Sequence, residues 1–496
     1  MQEKHGDFGE LAPIEFIFHE TKEHGLGDTV AMKKIRDVVK PSLIIVPDAS
    51  GTNAQYQALN DLGIEIVVID HHLMKDVGDG VKTIVVNNQQ SPDYVNKSLS
   101  GVGVVYQLCR VFDDLLTFVI ADKYLDLVAL GLAADVMDFR SPETRFMIQE
   151  GLANINLPFL KIFRKEKCYD MTRGYDENKV KFNYTTVSWN VAPLVNAVNR
   201  IGTLEERDIL FKAFLDDFAE SEIQSGKRKE EDVIVPLAKE ALRVATNARS
   251  RQNRRQDKLI EAIDAVIRED GLLQDKVIIV PIDDFDDSQR SLSGLIANKF
   301  IDWYKRPCIL FFKDKDKDTF TGSLRAPENV DAFQNFKDQC KESGFVTFAE
   351  GHQMAAGVGV KEINIQNLRE YFNEKYSNIN TEPTAWVDFI VDAEDDLSEL
   401  TEIIDSLTNY WGQGFKEPIV AIKNVPIGPG KVVLYKAETA SPTLNIKLPN
   451  GGSCIKFRSS KEEFDSLVLP YDKVEQQYRA TIVGQLSMNE YNGNRT

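Results

Sequence analysis

The stretch LIIVPDASGTNAQYQALNDLGIEIVVIDHH, residues 43–72, decides how the front of this chain folds. Two apolar, β-branched runs each stop on an acid, Asp48 and Asp70, and the second acid is followed directly by His71 and His72. Only six histidines occur in 496 residues, so two side by side at the end of a buried strand invite a chemical reading. A polar, helix-compatible stretch separates the runs, and a third apolar run follows at 83–87. Strands at 43–47, 64–69 and 83–87 alternating with helical segments predict a mostly parallel α/β sheet. In such a sheet the residues just past the carboxyl ends of neighbouring strands converge on one crevice. Asp48, Asp70, His71 and His72 all sit at such ends.

Outward from this unit, helical patterns continue to about residue 219. The segment VPLAKEALRVATNARSRQNRRQDKLIEAIDAVIRED then keeps helical periodicity without an internal Gly or Pro. It predicts one long connecting helix with a basic section at Arg243, Arg249, Arg251, Arg254 and Arg255. A second α/β unit opens near DKVIIVP, with further strands at PCILFF, FTGSLR and FVTFAE. From residue 385 short β-rich runs alternate with turns such as GPG and PNGG, which suits a small barrel of the OB type. The expected divisions are 1–225, 226–270, 271–380 and 381–496.

Bulk composition sets outer limits. The chain is 43% hydrophobic and 27% charged, as in an ordinary globular protein of several domains. No apolar run reaches the roughly 18 residues of a membrane helix, and MQEKHGDFGELAP lacks a signal-peptide core. Cys109, Cys168, Cys308, Cys340 and Cys454 form no CxxC pair, so reduced thiols and a cytoplasmic location are expected, with no membrane partner. A net charge of −18 argues against a general nucleic-acid coat but not against a nucleic-acid enzyme, whose metal-holding carboxylates are themselves acidic.

A third acid, Asp135, interrupts the apolar helical stretch LVALGLAADVMDFR. If buried there, it needs a partner such as a cation. Carboxylates with imidazole and no nearby thiol suit Mn²⁺ or Mg²⁺ better than structural zinc. Two such ions can clamp a phosphoryl group and generate hydroxide. A single Asp at a strand end ordinarily caps a turn; three acids and two histidines at the ends of one α/β unit are harder to explain that way. FHETKEHGL, with His19, Lys22 and His24, offers a further phosphate contact, against the plainer reading of a solvated loop.

VVIDHH resembles the signature of the DHH phosphoesterases, and the surrounding order of motifs is similar to that of the RecJ-type exonucleases. VPDASGTN, DHH, SGVGVVYQL, ALGLAADV and VAPLVNAVNRIG follow one another as that family's motifs do. GSLRAPENV and GHQMAAGVGV resemble the DHH-associated domain, and VGQLSMNEYNG the end of the RecJ OB-fold. The fold implied is a parallel-sheet DHH domain, a long connecting helix, a second α/β DHH-associated domain and a C-terminal OB barrel.

The resemblance implies that Asp48 bridges two Mn²⁺ or Mg²⁺ ions, with His71 and Asp135 completing one ion's ligands. Asp70 would orient His71, and His72 would contact the scissile phosphate. Gly322, Ser323, Arg325, Gly351, His352 and Gly357, together with Arg200, would hold the substrate, with Ala355 and Ala356 letting backbone amides approach. Glu350 stands where the family has the first glycine of GGH. Tyr435, Lys447 and Phe457 are candidates for stacking and charge along a single strand. The family's first motif, an Asp-x-Asp loop after an earlier strand, has no counterpart before Asp48. The expectation is therefore one complete ion site, impaired hydrolysis, and a separate polypeptide able to supply the motif.

The leading functional expectation is a metal-dependent exonuclease on single-stranded DNA, 5′ to 3′, in repair or recombination. A DHH phosphodiesterase of short oligonucleotides or cyclic dinucleotides is the alternative within hydrolases. A non-catalytic single-strand-binding or scaffold protein is the alternative outside them.

Overall fold

The computed structural model describes residues 13–18, 25–74, 82–168, 182–226, 233–283, 290–438 except 316 and 383, 442–468 except 458, and 478–495 except 489, 492 and 493. The chain forms two compact units: Met1–Thr246 with Thr408–Lys416, and Asn247–Leu407 with Glu417–Thr496. His19, Lys22 and His24 lie outside the described residues.

In the first unit, β1 (Leu43–Pro47), β2 (Glu65–Asp70) and β3 (Thr83–Asn87) form a parallel sheet in that order. Leu43 lies opposite Glu65, and Ile66 opposite Thr83. Between β1 and β2, α1 (Asn53–Asn60) starts on a capping box in which Thr52 and Gln55 satisfy each other's backbone amides. It buries Tyr56 and Leu59 with Val46, Ile66 and Val68 in one core. Strand alternation sends Leu43, Ile45 and Ile84 to the opposite face, where they stay exposed.

Two helices then carry the glycines of the motif-like stretches. An ideal Cβ on Gly131 of α3 (Leu125–Ala134) would fall 2.2 Å from Val102 Cγ1 of α2 (Gly101–Leu116). One on Gly103 would fall 3.3 Å from Leu132, so these glycines let α2 and α3 approach closely. Helices α4 (Pro142–Ala153) and α5 (Ala192–Ile201) extend this helical layer. The expected connecting helix is α6 (Leu237–Glu269), 33 residues without a break, and the boundary between units falls inside it.

In the second unit, β4 (Ile278–Ile282), β5 (Cys308–Lys313), β6 (Thr319–Arg325), β7 (Val346–His352) and β8 (Ala355–Lys361) form a sheet ordered β4-β5-β6-β8-β7. Only β4 and β5 run parallel; the other pairs are antiparallel. Both faces are buried: Ile279, Ile309 and Phe311 join one core, Ile278, Leu310 and Phe312 the other. Ile260, Ile263 and Ile267 of α6 belong to the second of these cores, as does Phe300 of α7 (Ser293–Tyr304).

The C-terminal segment holds two three-stranded sheets. One joins β9 (Phe389–Asp392), β10 (Val420–Ile427) and β14 (Tyr478–Gly484); the other joins β11 (Val432–Tyr435), β12 (Thr443–Lys447) and β13 (Ser453–Phe457). Val420, Val425, Ile427, Leu444 and Ile446 share one core between them. Two helices, α8 (Ser398–Ser406) and α9 (Lys461–Val468), lie among the β-rich runs of this region. Phe464, Leu467 and Val468, at helical spacing, pack on that core, and this burial favours the helix. Among the described residues no helix is long and apolar enough to cross a membrane.

Candidate metal and phosphate site

Parallel pairing places Pro47 opposite Ile69, so the residues that follow β1 and β2 emerge side by side. Asp48 is tied to β2 by its N–H, which donates to Ile69 C=O at 2.8 Å. Its φ is +56°, a left-handed turn that Asp tolerates better than most side chains and that swings the chain off the sheet. Asp48 Oδ1 lies 3.2 Å from His71 Nε2, and Asp135 Oδ2 lies 3.3 Å from the same nitrogen. The fold thus brings Asp48, His71 and Asp135 together.

Asp135 is not a buried acid inside a helix. It is the C-cap of α3, with its side chain 47% exposed, because the helix ends one residue earlier. It needs no cation to offset burial; what recommends it is its aim at His71. The next residue, Val136, has φ +56°. For a β-branched side chain this is strain of order 1–3 kcal/mol, which persists only where surroundings impose it.

Asp70 acts on the other histidine from the one expected. Its Oδ1 lies 2.8 Å from His72 Nδ1 and accepts the backbone N–H groups of His71 at 2.8 Å and His72 at 3.3 Å. β2 ends at Asp70 and the chain turns there. The Asp70 carboxylate caps that turn by taking the N–H groups of the next two residues and so meets the ring of His72, while His71 turns toward Asp48 and Asp135. The Asp70 side chain is 1% exposed, His72 61%. Asn87, at the end of β3, donates its Nδ2–H to His72 C=O at 2.9 Å and fixes that turn.

The donor set fits a divalent cation. Ligand atoms of Asp48, Asp70, His71 and His72 all lie within 4.8 Å of one another, and Asp70 Oδ2 is buried without a hydrogen-bond partner. Burial works against the charged form of His71, but its bond to Asp48 and the charges of Asp135, Asp48 and Asp70 outweigh it and raise its pKa. The same negative field that favours a proton there favours a metal ion. Carboxylate oxygens and imidazole nitrogens without thiolate suit Mn²⁺ or Mg²⁺.

Gly101 is a site residue whose role the sequence left open. An ideal Cβ on it would fall 2.4 Å from Asp48 Oδ1. The first turn of α2 therefore lies flat against the Asp48 carboxylate, with the positive end of the helix toward it. The only sequence signal was the glycine-rich SGVG.

The residues expected to hold substrate divide differently. Arg200 is exposed in the last turn of α5. The others lie in the second unit. Gly322 faces Phe311 and Val358 across β6, and a Cβ there would fall 1.8 Å from Leu310 C=O, so strand packing by itself requires this glycine. Ser323 Oγ is 2.8 Å from Ser293 Oγ, and Arg325 Nη1 donates to Leu324 C=O at 2.7 Å. Gly351, with φ +125°, and His352 end β7 at its hairpin with β8. Gly357 pairs with Glu350 and Ser323 inside the sheet, where an added Cβ would meet Glu350 C=O at 3.8 Å, an ordinary van der Waals contact. Tyr435, Thr443 and Phe457 are aligned across β11, β12 and β13, and both aromatics are exposed on that face.

Residues 10–132 match the DHH family N-terminal domain, and residues 387–496 match the RecJ OB domain. The first match contains Asp48, Asp70, His71 and His72. A Bacillus subtilis SPbeta prophage-derived protein, named as the single-strand DNA-specific exonuclease YorK, is 33% identical over 492 residues, covering 98% of this chain and 81% of that protein. The single-stranded-DNA-specific exonuclease RecJ of B. subtilis is 24% identical over 497 residues, and the chain spans 56% of its length. The crystal structure of RecJ in complex with Mn²⁺ from Thermus thermophilus superposes with a TM-score of 0.65 at 20% identity, over 94% of this chain and 62% of that one. This chain belongs to the RecJ branch of the DHH family.

Proposed function

We propose that this chain is a Mn²⁺- or Mg²⁺-dependent exonuclease that hydrolyses phosphodiester bonds of single-stranded DNA. The observation that carries this reading is the convergence of Asp48 Oδ1 and Asp135 Oδ2 on His71 Nε2, at 3.2 and 3.3 Å. Asp48, His71 and Asp135 would hold the ion. When bound, such an ion polarises a phosphodiester and lowers the pKa of an attacking water.

The protein's own groups do the rest. Asp70 holds His72 by Nδ1, which fixes the ring and leaves Nε2 toward solvent. In its protonated state His72 donates Nε2–H to a phosphate oxygen as charge develops there. The exposed Tyr435 and Phe457, with Lys447 at the far end of the same sheet, provide stacking faces and a cation for an unpaired strand. The names of YorK and RecJ support single-stranded DNA over a small cyclic substrate. Cleavage from the 5′ end, a part in repair or recombination, and a cytoplasmic location belong to the same reading; the five unpaired cysteines suit the last.

A polypeptide adding a strand beside β1 is a further partner of this reading. Its support is that β1 is an edge of the described sheet and that Leu43, Ile45 and Ile84 are exposed on one face.

The deciding experiment uses a single strand labelled at either end, in Mn²⁺, with Asp48→Ala and His72→Ala beside the wild type. Asp48→Ala should remove most of the calorimetric Mn²⁺ signal, and both variants should lose cleavage. Unchanged Mn²⁺ binding in Asp48→Ala would take that residue out of the site.

A further inference from the structure

Thr408–Lys416 lies in sequence between α8 and β10, yet it packs as part of the first unit. Its target is the loop that follows Asp135. Phe139 has no exposed surface, and its N–H donates to Gln413 C=O at 2.6 Å. An ideal Cβ on Gly412 would fall 2.6 Å from Phe139 Cγ, so the Gly412 backbone lies directly on that ring. Gly414, with φ +77°, sits against the Asp138 carboxylate, which also takes two bonds from Arg140 Nε at 3.0 Å. The segment closes on itself: Gly412 N–H donates to Phe415 C=O at 2.9 Å, and Phe415 N–H to Gly412 C=O at 3.1 Å. A second tie comes from Gln149 of α4, whose Nε2–H donates to Asn409 C=O at 2.9 Å.

This grip begins four residues after Asp135. Between them lies Val136 in its strained left-handed conformation, followed by Met137, whose N–H donates to Leu132 C=O at 3.0 Å. A strained turn keeps its shape only when held on both sides. The end of α3 holds one side; Phe139, seated by Gly412 and Gln413, holds the other.

We propose that Thr408–Lys416 is a positioning clamp for Asp135, with Gly412 and Phe139 as its positioning residues. It fixes the direction of the Asp135 carboxylate without touching substrate. The inference rests on the reading of Asp135 as a metal ligand.

The test is calorimetric Mn²⁺ titration of the full chain, well below the melting temperature of each variant, alongside thermal melts. Gly412→Ala drives a methyl into a fully buried ring, and Mn²⁺ affinity should fall by about tenfold, the low end for groups that orient a ligand. Phe139→Leu makes room: alone it should weaken Mn²⁺ binding about threefold, and in the double variant it should recover most of the Gly412→Ala loss. Gly484→Ala, where an added Cβ meets nothing within 4 Å, serves as the control and should bind as wild type. Should Gly412→Ala not fold, Phe139→Leu and its melt carry the comparison. A folded Gly412→Ala or Phe139→Leu with wild-type Mn²⁺ affinity overturns the clamp. Asp135→Ala separates the two readings: if its own Mn²⁺ binding is unchanged, the ligand assignment fails and the clamp with it; if it binds weakly while both clamp variants bind normally, only the clamp fails.

Discussion

His72 Nδ1 lies 2.8 Å from the buried Asp70 Oδ1, so the acid that ends β2 orients the second histidine of the pair and leaves the first to Asp48 and Asp135. The two rings, 4.3 Å apart between centroids, thus answer to different acids. In the proposed function the first serves a metal ion and the second a phosphate.

Asp70→Asn is predicted to separate these roles. The amide keeps the volume of the carboxylate but loses the charge beside His72 Nδ1, so cleavage should drop on the order of 10- to 100-fold. Mn²⁺ affinity should change far less, because His71 is held by other acids. Kinetics and calorimetry on one preparation check this, and an equal loss in both would return Asp70 to His71.

Gly101→Ala is predicted to weaken Mn²⁺ binding although Gly101 carries no donor. Its methyl would arrive 2.4 Å from Asp48 Oδ1, and either the carboxylate or the first turn of α2 must shift. Overpacking of this kind costs about 1–3 kcal/mol, so a lower melting temperature should accompany the weaker binding. Wild-type values of both would show that the contact relaxes freely.

Asp314 gives the second unit an acid-sensitive element. Burial alone would raise its pKa, but bonds from Thr319 at 2.7 Å and Thr321 at 2.9 Å, with the Arg290 guanidinium, hold it below the ordinary carboxylate value. A folded-state pKa below the unfolded one stabilises above the unfolded value of about 3.9, and that stability is lost as pH falls through the folded value. Urea midpoints of wild type and Asp314→Asn should therefore differ by a constant amount above about pH 5 and converge on acidification. A difference that stays constant down to pH 3 would contradict this.

Phe457→Ala is predicted to weaken binding of an oligothymidine by about 1–3 kcal/mol with little change in melting temperature. The side chain is 72% exposed on β13, so its removal opens no cavity. Affinity by fluorescence anisotropy at fixed salt is the measurement; no loss would place the strand elsewhere.

Much of this protein was legible in its sequence because the responsible forces are local. β-branched runs ending at Pro47 and Asp70, the unbroken helical period of 237–269 and the motif order around the histidine pair each follow from neighbours in the chain.

What only the tertiary structure decided is the company each group keeps across long separations. Asp135 reads in sequence as an acid buried in an apolar helix; the helix stops at Ala134, and the acid reaches His71 from an exposed cap. Gly101 appears in sequence only as part of the glycine-rich SGVG stretch and proves to be the surface on which Asp48 rests. Gly412 carried no signal in the sequence, yet it seats Phe139, more than two hundred residues earlier in the chain. Periodicity and propensity are set by adjacent residues, but close approach between distant ones depends on how whole elements pack, and that appears only once the chain has closed on itself.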